Sequence, residues 1–210
     1  VGSAALDAAT TASNNSAFGI SALGANTTGY NNVALGRRSG VNNTTGASNT
    51  AVGTDSLYSN TTGADNVAIG VDALFDNNAS YNVAVGKNSL ANNTTGANNT
   101  AVGRLAAETN TTGADNVAIG EGALYTNATG SYNTAVGKAS LDASDTDHNT
   151  ALGYNALTSL TTGSQNTAVG ANSLLALTTT SNNTAIGYNA GDALTTGGHC
   201  TFIGNTVASY

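Results

Sequence analysis

The sequence predicts an all-β chain, a parallel β-solenoid of about twelve 17-residue coils. Three observations carry that prediction. A glycine returns at positions 2, 19, 36, 53, 70, 86, 103, 120, 137, 153, 170, 187 and 204; ten of the twelve intervals are equal and two are shorter by a single residue. An alanine stands two residues ahead of that glycine in eleven successive copies, from Ala17 to Ala185, and Phe202 breaks the column. The unit has no helical periodicity and is too short for a helical repeat. A fixed period carried from end to end means stacked units that touch only their neighbours.

Each part of the unit has its own reason. It opens Asn, Thr or Val, Ala, aliphatic, Gly, as in Asn66-Val67-Ala68-Ile69-Gly70 and Asn116-Val117-Ala118-Ile119-Gly120. This alternates as a short strand does, with the aliphatic and the Thr or Val on one face and the alanine on the other. A face that accepts only a methyl, as at Ala68 and Ala118, is expected to press against a facing layer or another subunit. The glycine, as at Gly36, Gly53, Gly70 and Gly120, is a structural position. After it come two free positions, then Ala or Ser, then usually Leu. Thr-Thr-Gly follows, and its glycine (29, 46, 63, 96, 113, 163, 197) is expected to supply a positive φ at a corner. The asparagine column that includes Asn66 and Asn116 is expected to form a ladder, each amide bonding the same amide one coil up and down. Two or three short strands per coil, stacked at about 4.8 Å, give a rod on the order of 60 Å long.

Large apolar groups are few. Val52 with Leu57, or Ile69 with Leu74, are the expected core anchors of their coils. Burial contributes roughly 1.5–3 kcal/mol per large side chain, while ordering costs about 1–2 kcal/mol per residue. That deficit predicts a homo-oligomer, with the alanine face as the surface of close approach between chains.

Composition narrows the classes. Charged residues are 8% of the 210, proline is absent and the formal net charge is −7, with five basic residues. That balance argues against nucleic acid as a partner. No apolar run is long enough to span a membrane, so direct membrane insertion is not expected. Cys200 is the single cysteine and stands in the asparagine column, where a buried structural thiol is expected. One continuous domain over 1–210 without a linker, a segment of a longer fibre, is the expected organisation. No cofactor is expected. Neither His148 nor His199 has a nucleophile or paired acid in a recognisable arrangement, so no enzyme is expected.

The Asn-Val-Ala-Ile-Gly-x-x-Ala pattern resembles the head repeats of trimeric autotransporter adhesins of the YadA type, with their Asn-Ser-Val-Ala-Ile-Gly-x-x-Ser motif. Asn66 to Ala73 and Asn116 to Ala123 match closely, and Asn15-Ser16-Ala17-Phe18-Gly19 more loosely. The longer unit here, with Leu and Thr-Thr-Gly in each coil, is similar to repeats of phage-type trimeric tail fibres. The resemblance covers nearly the whole chain. It implies a left-handed parallel β-roll, a homotrimer around an axis, an extracellular place on a virion tail or a bacterial surface, and adhesion or host attachment through a cell-surface glycan or protein receptor. The adhesin unit is typically shorter than the unit of this chain, which favours the tail-fibre variant.

Candidate sites follow from the columns. Arg37, Lys87, Arg104 and Lys138 stand immediately after the periodic glycine, as do Tyr154 and Tyr188. This is expected to be an outward ridge: either a glycan-contacting row of cations and aromatic faces, or, ranked first, a solvated column or one paired across subunits with acids such as Asp55 and Asp72. Tyr58, Phe75 and Tyr125 share the column after the leucine, as corner-fillers first and sugar platforms second. Asp145, Asp147 and His148 are weak metal candidates in one of the two shortened coils, ranked behind an irregular turn. A carbohydrate-binding module is the alternative function. An ice-binding solenoid, suggested by Thr-Thr pairs in nine coils, ranks third.

Overall fold

A computed structural model describes residues 2–206; Val1, expected to open the first coil, and residues 207–210 lie outside the described residues. The chain winds as a β-solenoid with one three-residue strand in each coil: β1 (Ser16–Phe18), β2 (Val33–Leu35), β3 (Thr50–Val52), β4 (Val67–Ile69), β5 (Val83–Val85), β6 (Thr100–Val102), β7 (Val117–Ile119), β8 (Thr134–Val136), β9 (Thr150–Leu152), β10 (Thr167–Val169), β11 (Thr184–Ile186) and β12 (Thr201–Ile203). All twelve form a single parallel sheet in sequence order. Alanine pairs with alanine from β1 to β11, as in Ala101↔Ala118, and Ala185 pairs with Phe202.

The sequence predicts two or three strands per coil; the structure has one. The remainder of the coil is bent by residues in the left-handed region. In the coil that begins at Gly86 these are Asn88 (φ 57°), Leu90 (φ 49°) and Asn98 (φ 59°). Each non-glycine residue there costs roughly 1–2 kcal/mol, so stacking must hold what local preference opposes.

The face assignment of the strand is the reverse of the one expected for the large side chains. The alanines point inward: Ala68 and Ala118 are fully buried. They pack with the leucines four residues after the glycine, such as Leu74, Leu90 and Leu124, in one core. The facing-layer alternative for the alanine face is therefore the one realised, within one chain, and that face is not a contact surface between chains. Of the expected anchors, Leu57 and Leu74 are buried, but Val52 and Ile69 point outward. The interior is one coil wide, so opposite a leucine there is room for a methyl and nothing larger. The residue before the leucine is buried as well, and where it is serine its hydroxyl donates to the periodic glycine's carbonyl (Ser89 Oγ to Gly86 O, 2.9 Å).

The two kinds of glycine have different causes. The periodic glycine has φ between +132° and +141° at Gly36, Gly53, Gly70 and Gly120, a region that side chains avoid. The glycine of Thr-Thr-Gly has no positive φ among the described residues, contrary to expectation. It is there for lack of room: a Cβ on Gly113 would lie 2.5 Å from Asn110 Oδ1 and closer still to the Gly130 carbonyl oxygen.

Two inner asparagine columns wire the coils together. The expected one is a ladder through the backbone. Asn116 N–H donates to Asn99 Oδ1 (3.0 Å), its Nδ2 donates to Gly130 O (2.9 Å), and its Oδ1 accepts from Asn133 N–H (2.9 Å). Asn66 does the same and also donates Nδ2 to Asn49 Oδ1 at 3.1 Å. Asn166 and Asn183 likewise donate Nδ2 to the amide oxygen one coil back, so the expected amide-to-amide bonds occur at these steps of the column, while an unbroken amide-to-amide ladder runs along a second column, Asn26, Asn43, Asn60, Asn77, Asn93, Asn110 and Asn127, with Nδ2 to Oδ1 distances of 2.7 to 3.5 Å. That column then changes to Ser144, Leu160, Leu177 and Leu194. Asn127 Oδ1, at the break, is buried without a hydrogen-bond partner.

The break makes a prediction. In the other shortened coil the equivalent residue is Asn77, which donates to both Asn60 Oδ1 and Ala79 O. Ser144→Asn is therefore expected to extend the ladder by one step and give Asn127 Oδ1 its donor. The variant gains about 1–2 kcal/mol, read as a higher Tm, whereas Ser144→Ala gains nothing.

Candidate functional site

Three of the coil's solvent-facing surfaces carry the candidate residues. The first is the outer face of the sheet. The residue before the periodic glycine is exposed or half-exposed in all twelve strands. It is Phe18, Leu35, Val52, Ile69, Val85, Val102, Ile119, Val136, Leu152, Val169, Ile186 or Ile203. Exposure reaches 62% at Phe18 and 69% at Ile203, and stays at 39% at Ile119 in the middle. Beside this row runs a second one of Thr or Val, from Val33 through Thr201. The result is an aliphatic ribbon eleven inter-strand steps long, roughly 50 Å at about 4.8 Å per step.

The second surface is the ridge after the periodic glycine. Tyr154 and Tyr188 are 53% and 55% exposed, as expected of an outward column. The cations are largely paired within the chain and not left for a ligand. Arg104 bonds Glu121, and Lys138 Nζ lies 3.4 Å from the other oxygen of the same carboxylate. Glu121 stands in the ridge itself, between the two cations in sequence order, and they hold its carboxyl below the usual range. Reading the ridge for its basic residues passed over this acid, which the regular spacing places there. Arg37 pairs with Asp55 at 3.2 Å, and Arg38 grips the same carboxylate with two bonds of 2.7 and 2.6 Å. The expected partner Asp55 is thus taken inside one chain. Lys87 makes no ion pair among the described residues.

The third surface is the column after the leucine. Tyr58 and Phe75 stack with centroids 4.8 Å apart and planes 3° from parallel. The Arg38 guanidinium lies 5.1 Å from the Tyr58 ring centroid, so this end of the column is a packed stack, in keeping with the corner-filling role. Tyr125 sits beside Glu108, whose charge and hydrogen bond push its phenol pKa up.

Asp145, Asp147 and His148 do not converge on a cation site; their polar atoms serve the neighbouring coil. In a regular coil the Thr44 carbonyl accepts from Thr27, Thr28 and Gly29 N–H. The shortened coils lack one turn residue, and a side-chain oxygen replaces that carbonyl. Asp145 Oδ1 accepts from Ala128, Thr129 and Gly130 N–H at 2.9, 2.6 and 3.2 Å. Asn78 Oδ1 accepts from Thr61 and Thr62 N–H at 3.0 and 2.9 Å in the other shortened coil. Asp147 accepts from Ser131 N–H at 2.7 Å, and His148 stacks on Tyr132 at 5.0 Å. Cys200 keeps the backbone half of its column's role, its N–H donating to Asn183 Oδ1 at 2.9 Å. Its thiol is partly buried instead of buried.

Burial raises the Asp145 pKa, but the bonds from Thr129, Gly130 and Ala128 outweigh it and hold the carboxyl below its usual value. A carboxyl depressed in the folded state stabilises above its unfolded pKa, and that contribution is lost as pH falls through the folded value. The wild-type Tm is therefore expected to drop more steeply than that of Asp145→Asn below about pH 4. The asparagine keeps the acceptor, as Asn78 does, without the titration.

The Thr-Thr pairs are also partly committed. The first threonine donates to the next coil's carbonyl, as in Thr44 Oγ1 to Thr61 O (2.9 Å) and Thr111 Oγ1 to Ala128 O (2.9 Å). One hydroxyl of such a pair is left for solvent. Comparison of the chain with family models, curated proteins and solved structures gives no match, so the functional reading rests on these surfaces.

Proposed function

We propose that the chain is a segment of a homotrimeric fibre. Three left-handed rolls lie side by side with their outer sheet faces turned to a common axis. The fibre serves attachment, on a phage-type virion tail ahead of a bacterial surface, outside the cell in either case. The observation that carries the reading is the aliphatic ribbon along all twelve strands. Parallel sheets occur almost only with both faces covered, and this sheet covers one face with its own alanines and leucines. A contiguous apolar strip of this length exceeds what monomers usually expose. The number three comes from the resemblance of the repeat to trimeric head and tail-fibre units. The ridge and the column after the leucine would face outward in triplicate, where weak contacts to a cell-surface glycan or protein receptor multiply.

Light scattering after size exclusion tests the assembly. The expected mass is three times the 20.5 kDa of one chain. A folded monomer overturns the proposal, and a dimer overturns the threefold arrangement.

A further inference from the structure

We propose that a notch beside Ala91 binds a single neutral pyranose residue. The notch lies in the column after the leucine, whose order up the rod is fixed by backbone bonds: Ser59 N–H to Phe75 O, Asp76 N–H to Ala91 O, and Asn92 N–H to Glu108 O. Tyr58 covers one face of the Phe75 ring. One coil further on, the column offers only the methyl of Ala91, so the second face of Phe75 has no ring upon it. The next large side chain is Glu108, two coils from Phe75. The missing side chain leaves a cavity of about 280 Å³ lined by Asp72, Phe75, Asn88, Ala91, Asn92 and Glu108.

The chemistry of that lining selects its occupant. An aromatic face carries negative quadrupole charge and attracts the C–H face of a sugar ring. Carboxylate oxygens accept hydroxyl protons in short, strong bonds, and amides both donate and accept. Glu108 is held in place: Asn88 Nδ2 donates to its Oε1 at 3.0 Å, and Tyr125 stands in the same column one coil further on. Asn88 Oδ1 is itself buried without a partner, so the acceptors offered to the notch are the carboxylates. Two carboxylates and no cation line the cavity, which turns away uronic and sialic acids. The volume falls just under the usual range for ligand sites, which fits one ring and not an oligosaccharide. The notch is complete within one chain, so this inference does not require the trimer.

The test uses the full chain and saturation-transfer NMR with free galactose, glucose, mannose, N-acetylglucosamine and glucuronic acid. At least one neutral pyranose is expected to bind with Kd on the order of millimolar, and glucuronic acid is not. Phe75→Ala and Glu108→Gln each weaken binding about tenfold or more. Ala91→Tyr, which continues the Tyr58–Phe75 stack into the notch, abolishes binding while leaving the far-UV spectrum and the mass unchanged. No binding by any neutral sugar, equal binding of glucuronic acid, or binding that survives Ala91→Tyr overturns the proposal. The mass of the same sample reports separately on the assembly.

Discussion

Val102→Lys combined with Ile119→Lys is expected to convert the assembly to monomers. The two residues are partners across β6 and β7, and both point outward. Two lysines there put charges where the reading places three apolar faces about one axis, at the middle of the ribbon and far from either end. Covering a half-exposed aliphatic contributes about 1 kcal/mol per chain at about 25 cal/mol per Å². Twelve along each ribbon must together offset the translational and rotational freedom that association costs. Six buried ammonium groups, two per chain, reverse that balance. Scattering mass should fall from three chains to one, with a Tm lowered by the loss of the partner surfaces. Tyr154→Ala and Lys87→Ala on the ridge are expected to leave the mass unchanged. If the double lysine variant keeps the wild-type mass, the ribbon is not the interface.

Gly103→Ala, a single added methyl in the middle of the rod, is expected to have a large effect on folding. Its φ is +134°, and a Cβ there would lie 2.6 Å from the carbonyl oxygen of Gly120 and 2.7 Å from its carbon. Both are backbone atoms of the next coil and neither can turn aside. The cost is expected at about 3–5 kcal/mol, read as a Tm loss. Gly122→Ala is the matched control. Its φ is +63°, and nothing lies within 4 Å of the added Cβ. The same column already holds Asn88 and Leu105 at φ 57° and 62°, so about 1 kcal/mol is expected. Equal losses in the two variants would show that the left-handed backbone, and not the close approach of coils, sets the glycine requirement.

Much of this was legible in the spacing. The coil, the strand, the column neighbours and the parallel stacking all follow from a glycine that returns at one fixed interval, shortened only twice. The direction of the strand's side chains was not. Hydrophobicity assigns Ile69 to the core and Ala68 elsewhere; the narrow interior imposes the opposite, with Ala68 fully buried and Ile69 40% exposed. Size, not apolarity, decides in a coil whose walls are one backbone apart. The left-handed leucines, such as Leu90, were also out of reach, because leucine has no local preference for that region and only the stacked coils impose it. The second asparagine column was within reach, since Asn26, Asn43 and Asn60 keep the same period. Glu121 was too. The replacement of a turn carbonyl by Asp145 or Asn78 was half visible: the shortened interval marked the place, but only the structure shows which atom fills the gap.

The bonds between coils run from a residue to its counterpart one coil away, or to a turn near it: Asn99 to Gly113, Asn116 to Asn99, Thr50 to Asn66. A coil therefore knows its two neighbours and nothing else of the rod. Excising one whole unit, for instance from Gly103 up to Gly120, would bring like groups back together and shorten the molecule by about 4.8 Å. Each unit added or removed changes the reach by one such increment. Length is thus a heritable variable that can be adjusted without redesigning the interior. The two shortened coils are the places where a splice must carry its own oxygen, Asn78 or Asp145, along with it.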